Sequence, residues 1–466
     1  MDLKCDSISG LLSYKKNYDM DAKVLFISLG CDKNLVDSEV MLGLLKEAGF
    51  SFTDDSNEAE VIVVNTCCFI GDAKEESINT LLEVAELKKT GMLKCLVVTG
   101  CLGQRYKEEI IKEIPEVDAI LGTASIEEIV NICENVLLNK GRKTVFKELD
   151  TPPYESKVRI NSTGQRVASL KIAEGCNKRC TYCIIPYLRG PYRSYSMEYL
   201  VEEATRLSNE GITELILVAQ ETTLYGVDLY GEKSLHILLE KLSEVDGIHW
   251  IRIMYCYPEE IYDELIDAIA TLPKVCHYLD LPIQHSSDAV LKRMGRFTDE
   301  ESLRRVIGKL RDRIPDIALR TTLISGFPGE TQEDFEKLYR FVNEMEFDRL
   351  GVFTYSLEED TPAANYDNQV PEEVKAFRRD ELMELQQAVA FDKAEECIGQ
   401  VYEVTIEGSL PESEVYVGRT YKDAPDVDGY VFMPIDRERM SGDYVMVKIT
   451  GTQDYDLLGE IIDEFA

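Results

Sequence analysis

The chain has 466 residues, enough for about three domains of ordinary size, and its 86 acidic against 51 basic side chains leave a net charge of −35. That balance argues against a polyanion such as naked nucleic acid as the main partner. With 44% hydrophobic residues the chain can build ordinary cores, yet no apolar run reaches the ~18 residues of a membrane span and the amino terminus carries no apolar signal segment.

Residues 1–21 fit no strand or helix pattern and are expected to form a flexible extension. Met20 stands just before the first strand, so a misassigned start is an equal account. Residues 22–140 read as an α/β domain. The runs VLFISLG, VIVVNT and CLVVTG are short and β-branched, and helical segments such as 37–48 and 73–88 separate them. This is the pattern of parallel strands buried on both faces. Each run ends on a cysteine: Cys31, Cys67 and Cys101. In such a sheet the carboxyl ends of the strands share the edge where ligands bind. Three thiols there could hold an iron–sulfur cluster one ligand short. Free cysteines also pack as small apolar groups, but three in equivalent positions are poorly explained by packing alone. Cys68 lies beside Cys67, and spacing does not separate the two.

Residues 141–161, with TPPYE, read as a linker. A second α/β unit is expected over 162–392. Its candidate strands are 169–175, 214–220, 250–255, 277–282, 319–327 and 349–355, with amphipathic helices between them at 196–210, 234–245, 258–271 and 331–345. Six strand–helix repeats are too few to close an eightfold barrel and predict an open one. After the first of these strands, EGCNKRCTYCIIP sets Cys176, Cys180 and Cys183 close together. Three thiolates so spaced can hold three corners of a cubane cluster and leave one iron open to a small molecule. A zinc knuckle would need a fourth Cys or His nearby, and none of the four histidines lies near the triplet. Thirteen cysteines without a secretory signal argue for reduced thiols and metal sites in the cytoplasm. Residues 395–466 alternate short β-rich runs with Gly, Asp and Pro, which predicts a small five-stranded barrel.

These segments resemble known families. The Cys176/Cys180/Cys183 triplet is similar to that of the radical S-adenosylmethionine enzymes. SLGCDKNLVDSE, VVNTCCFI and VVTGCLGQRY resemble the amino-terminal domain of the methylthiotransferases, and the last seventy residues resemble the TRAM module. The resemblance covers roughly residues 22 to 466. It implies an α/β multidomain protein with an open (β/α)6 radical barrel and two 4Fe-4S clusters. Cys31, Cys67 and Cys101 would ligate the first and Cys176, Cys180 and Cys183 the second. It also implies S-adenosylmethionine as both radical source and methyl donor. SGFPGE, with Gly326 and Pro328, resembles the cofactor-binding glycine–proline segment. Gln220 and Glu221 end a strand where related enzymes bind the cofactor's amino group, and Tyr182 stands where an aromatic residue lies near adenine. Arg193 and His285 are candidate substrate contacts, with an ordinary loop histidine an equal reading of His285.

One branch of the methylthiotransferases modifies an adenosine in transfer RNA; the other modifies an aspartate of the basic small-subunit ribosomal protein twelve. YLDLPIQHSSDAVLKRMGR, YCYPEEIYDELI and GVFTYSLEEDTPAA resemble the second branch more closely. Charge agrees, since residues 397–466 carry 15 acidic and 5 basic side chains. A basic protein partner, free or on the ribosome, is therefore expected, with Asp423, Asp426 and Asp428 as the steering surface. An electron donor and a sulfur source are implied as further partners.

Overall fold

The computed structural model describes residues 22–164 and 166–462; the extension expected over 1–21 lies outside them. The first sheet has six parallel strands: β1 (Lys23–Ser28), β2 (Ser51–Phe52), β3 (Val61–Thr66), β4 (Cys95–Thr99), β5 (Ala119–Leu121) and β6 (Lys143–Val145). Their order is β2-β1-β3-β4-β5-β6. Helices α1 (Asp32–Ala48), α2 (Gly71–Thr90), α3 (Gly100–Tyr106), α4 (Glu108–Glu113) and α5 (Ile129–Leu137) cover it. The central strands β3 and β4 are buried at every position, and mostly apolar, because both faces are covered. Ile62 and Val64 enter one core with Leu81, whereas Val61 and Val63 enter the other with Met41 and Leu45. Strand β6 falls inside the stretch expected to be linker, and it pairs Ile120 with Thr144.

The second sheet begins with β7 (Val167–Lys171). A two-residue ladder of β8 (Ala173–Glu174) and β9 (Arg193–Ser194) flanks the short helix α6 (Ile185–Arg189). Strands β10 (Glu214–Val218), β11 (Trp250–Ile253), β12 (Val275–Asp280), β13 (Ala318–Ser325) and β14 (Arg349–Thr354) complete a parallel sheet ordered β14-β13-β12-β11-β10-β7. Among the described residues its edge strands do not pair with each other, so the barrel is open. Alternation along β10 sends Leu215 and Leu217 toward the helices and Ile216 and Val218 to the opposite face. The helix Glu372–Glu396 then leads into a closed barrel of β15 (Val401–Leu410), β16 (Val415–Thr420), β17 (Val431–Pro434), β18 (Tyr444–Gln453) and β19 (Asp456–Ile461). No helix among the described residues is long and apolar enough to cross a membrane.

The carboxyl-terminal barrel docks into the second sheet through charge. Glu214, first in β10, accepts hydrogen bonds from Arg252 Nε (2.9 Å) and Arg419 Nη2 (2.7 Å), all three side chains being buried. Ala424 joins the apolar group of Ile216, Trp250 and Tyr278. This corrects the expected steering surface. Asp423 is buried and paired with Arg349, and Asp428 accepts from the Tyr278 hydroxyl (2.8 Å) and the Ala424 amide (2.9 Å). Of the three aspartates only Asp426 is exposed. Acid-rich composition did not reveal that two of these carboxylates neutralise arginines of the neighbouring module.

Candidate active site

Strand register places Ser28, Asn65 and Thr99 side by side on β1, β3 and β4. Past this row the three chains turn, and Cys31, Cys67 and Cys101 follow within three residues. Gly30 permits their approach: at φ +94°, a Cβ there would stand 2.9 Å from Cys67 Cβ and 3.2 Å from its Sγ. A polar lattice fixes the turns. Asn34 Nδ2 donates to the carbonyls of Leu29 (2.9 Å) and Thr66 (3.1 Å). Asn65 Nδ2 donates to Asn34 O (2.8 Å) and Ser38 Oγ (2.9 Å). Ser77 Oγ accepts from the Cys67 amide (3.0 Å) and donates to its carbonyl (2.8 Å). Cys31 sits at the amino-terminal cap of α1 without spending its side chain on a capping bond.

Burial pushes the Cys101 thiol up to about 11 although Arg189 beside it pulls the other way, and burial raises Cys67 too. The Cys31 sulfur is felt electrostatically by both. Cys68 differs. Burial lifts it to about 12, Cys101 and Cys67 raise it as well and Arg105 opposes them, with Cys31 absent from its neighbours in charge. Cys67 is thus the one of the two that lies against the Gly30–Cys31 turn.

The second triplet lies in the loop between β8 and α6. The Cys176 amide donates to Gly190 O (3.1 Å), the Cys183 amide to Cys180 O (3.0 Å), and the Thr181 amide to Met294 O (2.9 Å). The Tyr257 hydroxyl is 3.6 Å from Cys180 Sγ. Burial raises Cys176 to about 11 and Cys183 further. Buried thiols of this kind ionise only beside a positive centre, which is what an iron–sulfur cluster offers. No three metal-ligating side chains among the described residues converge closely enough for one ion.

The expected cofactor contacts separate into two groups. Glu221 is buried; its Oε1 accepts from the Thr223 amide (3.1 Å) and hydroxyl, and its Oε2 has no partner. Burial pushes its carboxyl up to about 8, and its charge is felt at Cys176. Gln220 Oε1 is likewise buried without a partner. Both oxygens suit a cationic ligand group beside the triplet. Tyr182 meets the Phe327 ring edge-on at 6.3 Å, forming an aromatic wall with Tyr355. The glycine–proline segment has a different logic. At Gly326 (φ +70°) a Cβ would stand 2.2 Å from Lys375 Cγ, so packing of the long helix already demands glycine there. The Gly326 and Phe327 amides donate to Glu330 Oε2 (2.7 and 3.1 Å), and Pro328 O accepts from Arg293 Nε (2.9 Å). His285 is fully buried, and burial pushes it down to about 3. Its Nδ1 accepts from the Ser287 amide (2.9 Å). Arg193 donates to the carbonyls of Thr151 (3.1 Å) and Arg189 (2.9 Å), toward the linker.

The second cysteine loop packs against the first domain. Ile184, which caps α6, and Leu188 within the helix are buried in the core that holds Cys101. Arg189 donates from Nη1 to Asp37 Oδ2 (2.7 Å) and from Nη2 to Asn34 Oδ1 (2.5 Å), both on α1. Lys171 pairs with Asp37 and with Glu174, two residues before Cys176. This buried quartet of Asp37, Glu174, Lys171 and Arg189 locks the two cysteine loops together. Sequence reading missed it, because none of the four is marked by spacing.

An α/β domain, an open radical barrel and a small β-barrel, with a cysteine triplet in each of the first two, define a radical S-adenosylmethionine enzyme of the methylthiotransferase kind. Family models agree: Uncharacterized protein family UPF0004 matches residues 23–122, the Radical SAM superfamily 170–342 and the TRAM domain 398–462. The chain is 61% identical over 437 residues to ribosomal protein uS12 methylthiotransferase RimO of Lachnoclostridium phytofermentans, covering 94% of this chain and 99% of that protein. It is 51% identical to the protein so named from Acetivibrio thermocellus, over 96% and 99%. In fold it is similar to TsrM of Kitasatospora setae, a radical S-adenosylmethionine methyltransferase solved with cobalamin and a 4Fe-4S cluster (TM-score 0.55, 14% identity, 82% of this chain and 77% of that one). The chain belongs to the RimO family of radical S-adenosylmethionine methylthiotransferases.

Proposed function

We propose that the chain methylthiolates the β-carbon of an aspartate in small-subunit ribosomal protein uS12. The observation that carries this reading is 61% identity over nearly the whole of a uS12 methylthiotransferase. In this reading Cys176, Cys180 and Cys183 hold one 4Fe-4S cluster and Cys31, Cys67 and Cys101 a second. Bound S-adenosylmethionine and the clusters supply a hydrogen-abstracting radical, a sulfur atom and a methyl group, chemistry beyond any side chain. The residues of the chain have the tasks of binding and orientation. The unpartnered Glu221 Oε2 and Gln220 Oε1 receive the cofactor's ammonium, and Tyr182 with Phe327 offers an apolar wall to its adenine. Gly326 and Pro328 shape the floor through the bonds their segment makes to Glu330 and Arg293. The ion quartet holds the two loops at one separation and keeps water from the junction, as proximity catalysis requires.

The modules are assigned to residues 22–145, 162–392 and 395–466, with 146–161 as the connection, the first boundary moved past β6. The reaction takes place in the cytoplasm, with partners supplying electrons and sulfur. Mass spectrometry of uS12 from strains with and without the gene tests the proposal. Loss of the methylthio mark on uS12 with unchanged methylthioadenosine in bulk transfer RNA is the expected result. The converse would move the chain's substrate to transfer RNA.

A further inference from the structure

Buried cations in this protein are paired with carboxylates, with one exception. Every other buried lysine or arginine among the described residues, Lys171 and Arg189 included, has a carboxylate within ion-pair distance. Lys33 has none. Its side chain is 6% exposed, and its ammonium lies 3.2 Å from the centroid of the Tyr255 ring. A cation–π contact recovers part of the solvation a buried ammonium loses, whereas a carboxylate partner recovers more. The nearest acid in sequence, Asp32, acts on the ammonium without forming an ion pair with it, as does Cys31, and its Oδ2 accepts from the Tyr255 hydroxyl (3.3 Å).

The place matters as much as the missing partner. Lys33 lies in the first turn of α1, two residues after Cys31, and reaches across to the carboxyl end of β11. Tyr255, just past that strand, has φ +61°, a left-handed backbone that a bulky side chain seldom adopts without a reason. Its own amide is held by Asp280 Oδ2 (3.0 Å). Asp32 and Tyr255 also border a cavity of about 180 Å³ that reaches Arg320 and the Asp426–Val427 loop of the small barrel. One ammonium therefore stands two residues from Cys31 of the first triplet, over the Tyr255 ring that borders this cavity between three modules.

We propose that Lys33 binds the side-chain carboxylate of the substrate aspartate, with Tyr255 as the positioning residue that holds the ammonium in place. The inference rests on the uS12 reading above and adds its recognition element. A carboxylate bound there has its β-carbon one bond from the anchored group and next to the loop that carries Cys31. An amide side chain at the same position would leave Lys33 without an anion, so the site distinguishes aspartate from asparagine by charge.

The test uses the iron-loaded full-length protein and two probes, uS12 and uS12 with the modified aspartate changed to asparagine. Equilibrium binding is measured for the wild type and for Lys33→Met, Lys33→Gln and Lys33→Arg, with iron content measured on each. A charge-assisted hydrogen bond predicts that wild type prefers the aspartate form by about tenfold to a hundredfold. Lys33→Met and Lys33→Gln should bring that ratio close to one, and Lys33→Arg should keep most of it. An undiminished ratio in the uncharged variants overturns the proposal while leaving the uS12 reading intact. Failure of the wild type to bind either probe overturns the uS12 reading, and this inference with it. Loss of iron in both uncharged variants but not in Lys33→Arg would assign the ammonium to the cysteine loop and also overturn it.

Discussion

Replacing Asp37 by alanine tests whether the ion quartet locks the two cysteine loops together. Asp37, Glu174, Lys171 and Arg189 are all buried, and their two negative and two positive charges cancel. Asp37→Ala removes one anion and leaves Lys171 and Arg189 sharing Glu174 alone. Removing one partner of a buried pair typically costs about 3–5 kcal/mol, because an uncompensated charge stays in a low-dielectric site. Arg189 cannot shed its proton, but Lys171 can. The penalty should therefore shrink as pH rises toward 9, where the released lysine deprotonates more readily. Multidomain unfolding is not two-state, so the readout is native-state hydrogen exchange of α1 and β7, compared at pH 7 and pH 9 after correction for intrinsic rates. Asp37→Leu combined with Lys171→Met restores charge balance and should recover most of the protection. Loss of less than about 1 kcal/mol at pH 7 in Asp37→Ala, or the same loss at both pH values, would refute the reasoning.

Further outcomes follow from the same geometry. Changing Cys176, Cys180 and Cys183 together to Ala should remove about half of the bound iron and all 5′-deoxyadenosine formation. The corresponding change at Cys31, Cys67 and Cys101 should remove the other half and leave 5′-deoxyadenosine largely intact; loss of all iron from either folded variant, by iron analysis, contradicts two separate sites. Asp423→Lys should lower the thermal midpoint and expose the small barrel to limited proteolysis, because it buries a second cation against Arg349; an unchanged midpoint would return Asp423 to the surface role that composition suggested. Acid should loosen the junction through Glu174. Burial opposes its ionisation, but Lys171 and Arg189 hold its carboxyl at about 2, against an ordinary 4.5. Its stabilisation is complete above pH 4.5 and is lost as pH falls toward 2, so exchange of α6 should rise in that window and Glu174→Gln should flatten the response.

The elements that sequence showed best are those whose signal is local. Six strands of the barrel and five of the small module were legible because β-branched runs between turn residues can bury themselves only as strands. Both cysteine triplets were legible because three thiols at strand ends, or three within eight residues, have few other uses. The boundary of the first sheet was not: β6 has three residues, and Lys143 gives it no apolar face. The steering surface was misread for a related reason. A carboxylate in a loop looks the same in sequence whether water or an arginine from 74 residues away faces it, as Arg349 faces Asp423. Lys33 and Tyr255 are 222 residues apart, and no periodicity in either segment relates them. Glu221 was found as a strand-end acid, but only the structure shows that one of its oxygens is buried without a partner. Gly326 was found as well, and there the structure changes the reason, since Lys375 occupies the space a side chain would take.

The two junctions of this chain solve one problem with the same chemistry. A large methylthiotransferase must hold separate modules at fixed separations, yet an apolar interface alone leaves register loosely defined. At the small barrel a glutamate sits between two arginines, Glu214 with Arg252 and Arg419. Between the cysteine loops Asp37 sits between a lysine and an arginine. Such buried pairs add little net stability, because desolvation offsets attraction, but they penalise every other alignment by several kcal/mol. They also resist screening by salt, which acts on exposed charge. The buried clusters account for little of the net charge of −35, and in the proposed reading the remainder would attract a basic protein at long range. Long-range attraction and local selection are thus separate in this molecule. In the proposed reading the acidic surface would gather a cationic partner without regard to sequence, and the choice of one side chain would fall to the junction, where the only buried cation without a carboxylate among the described residues is Lys33.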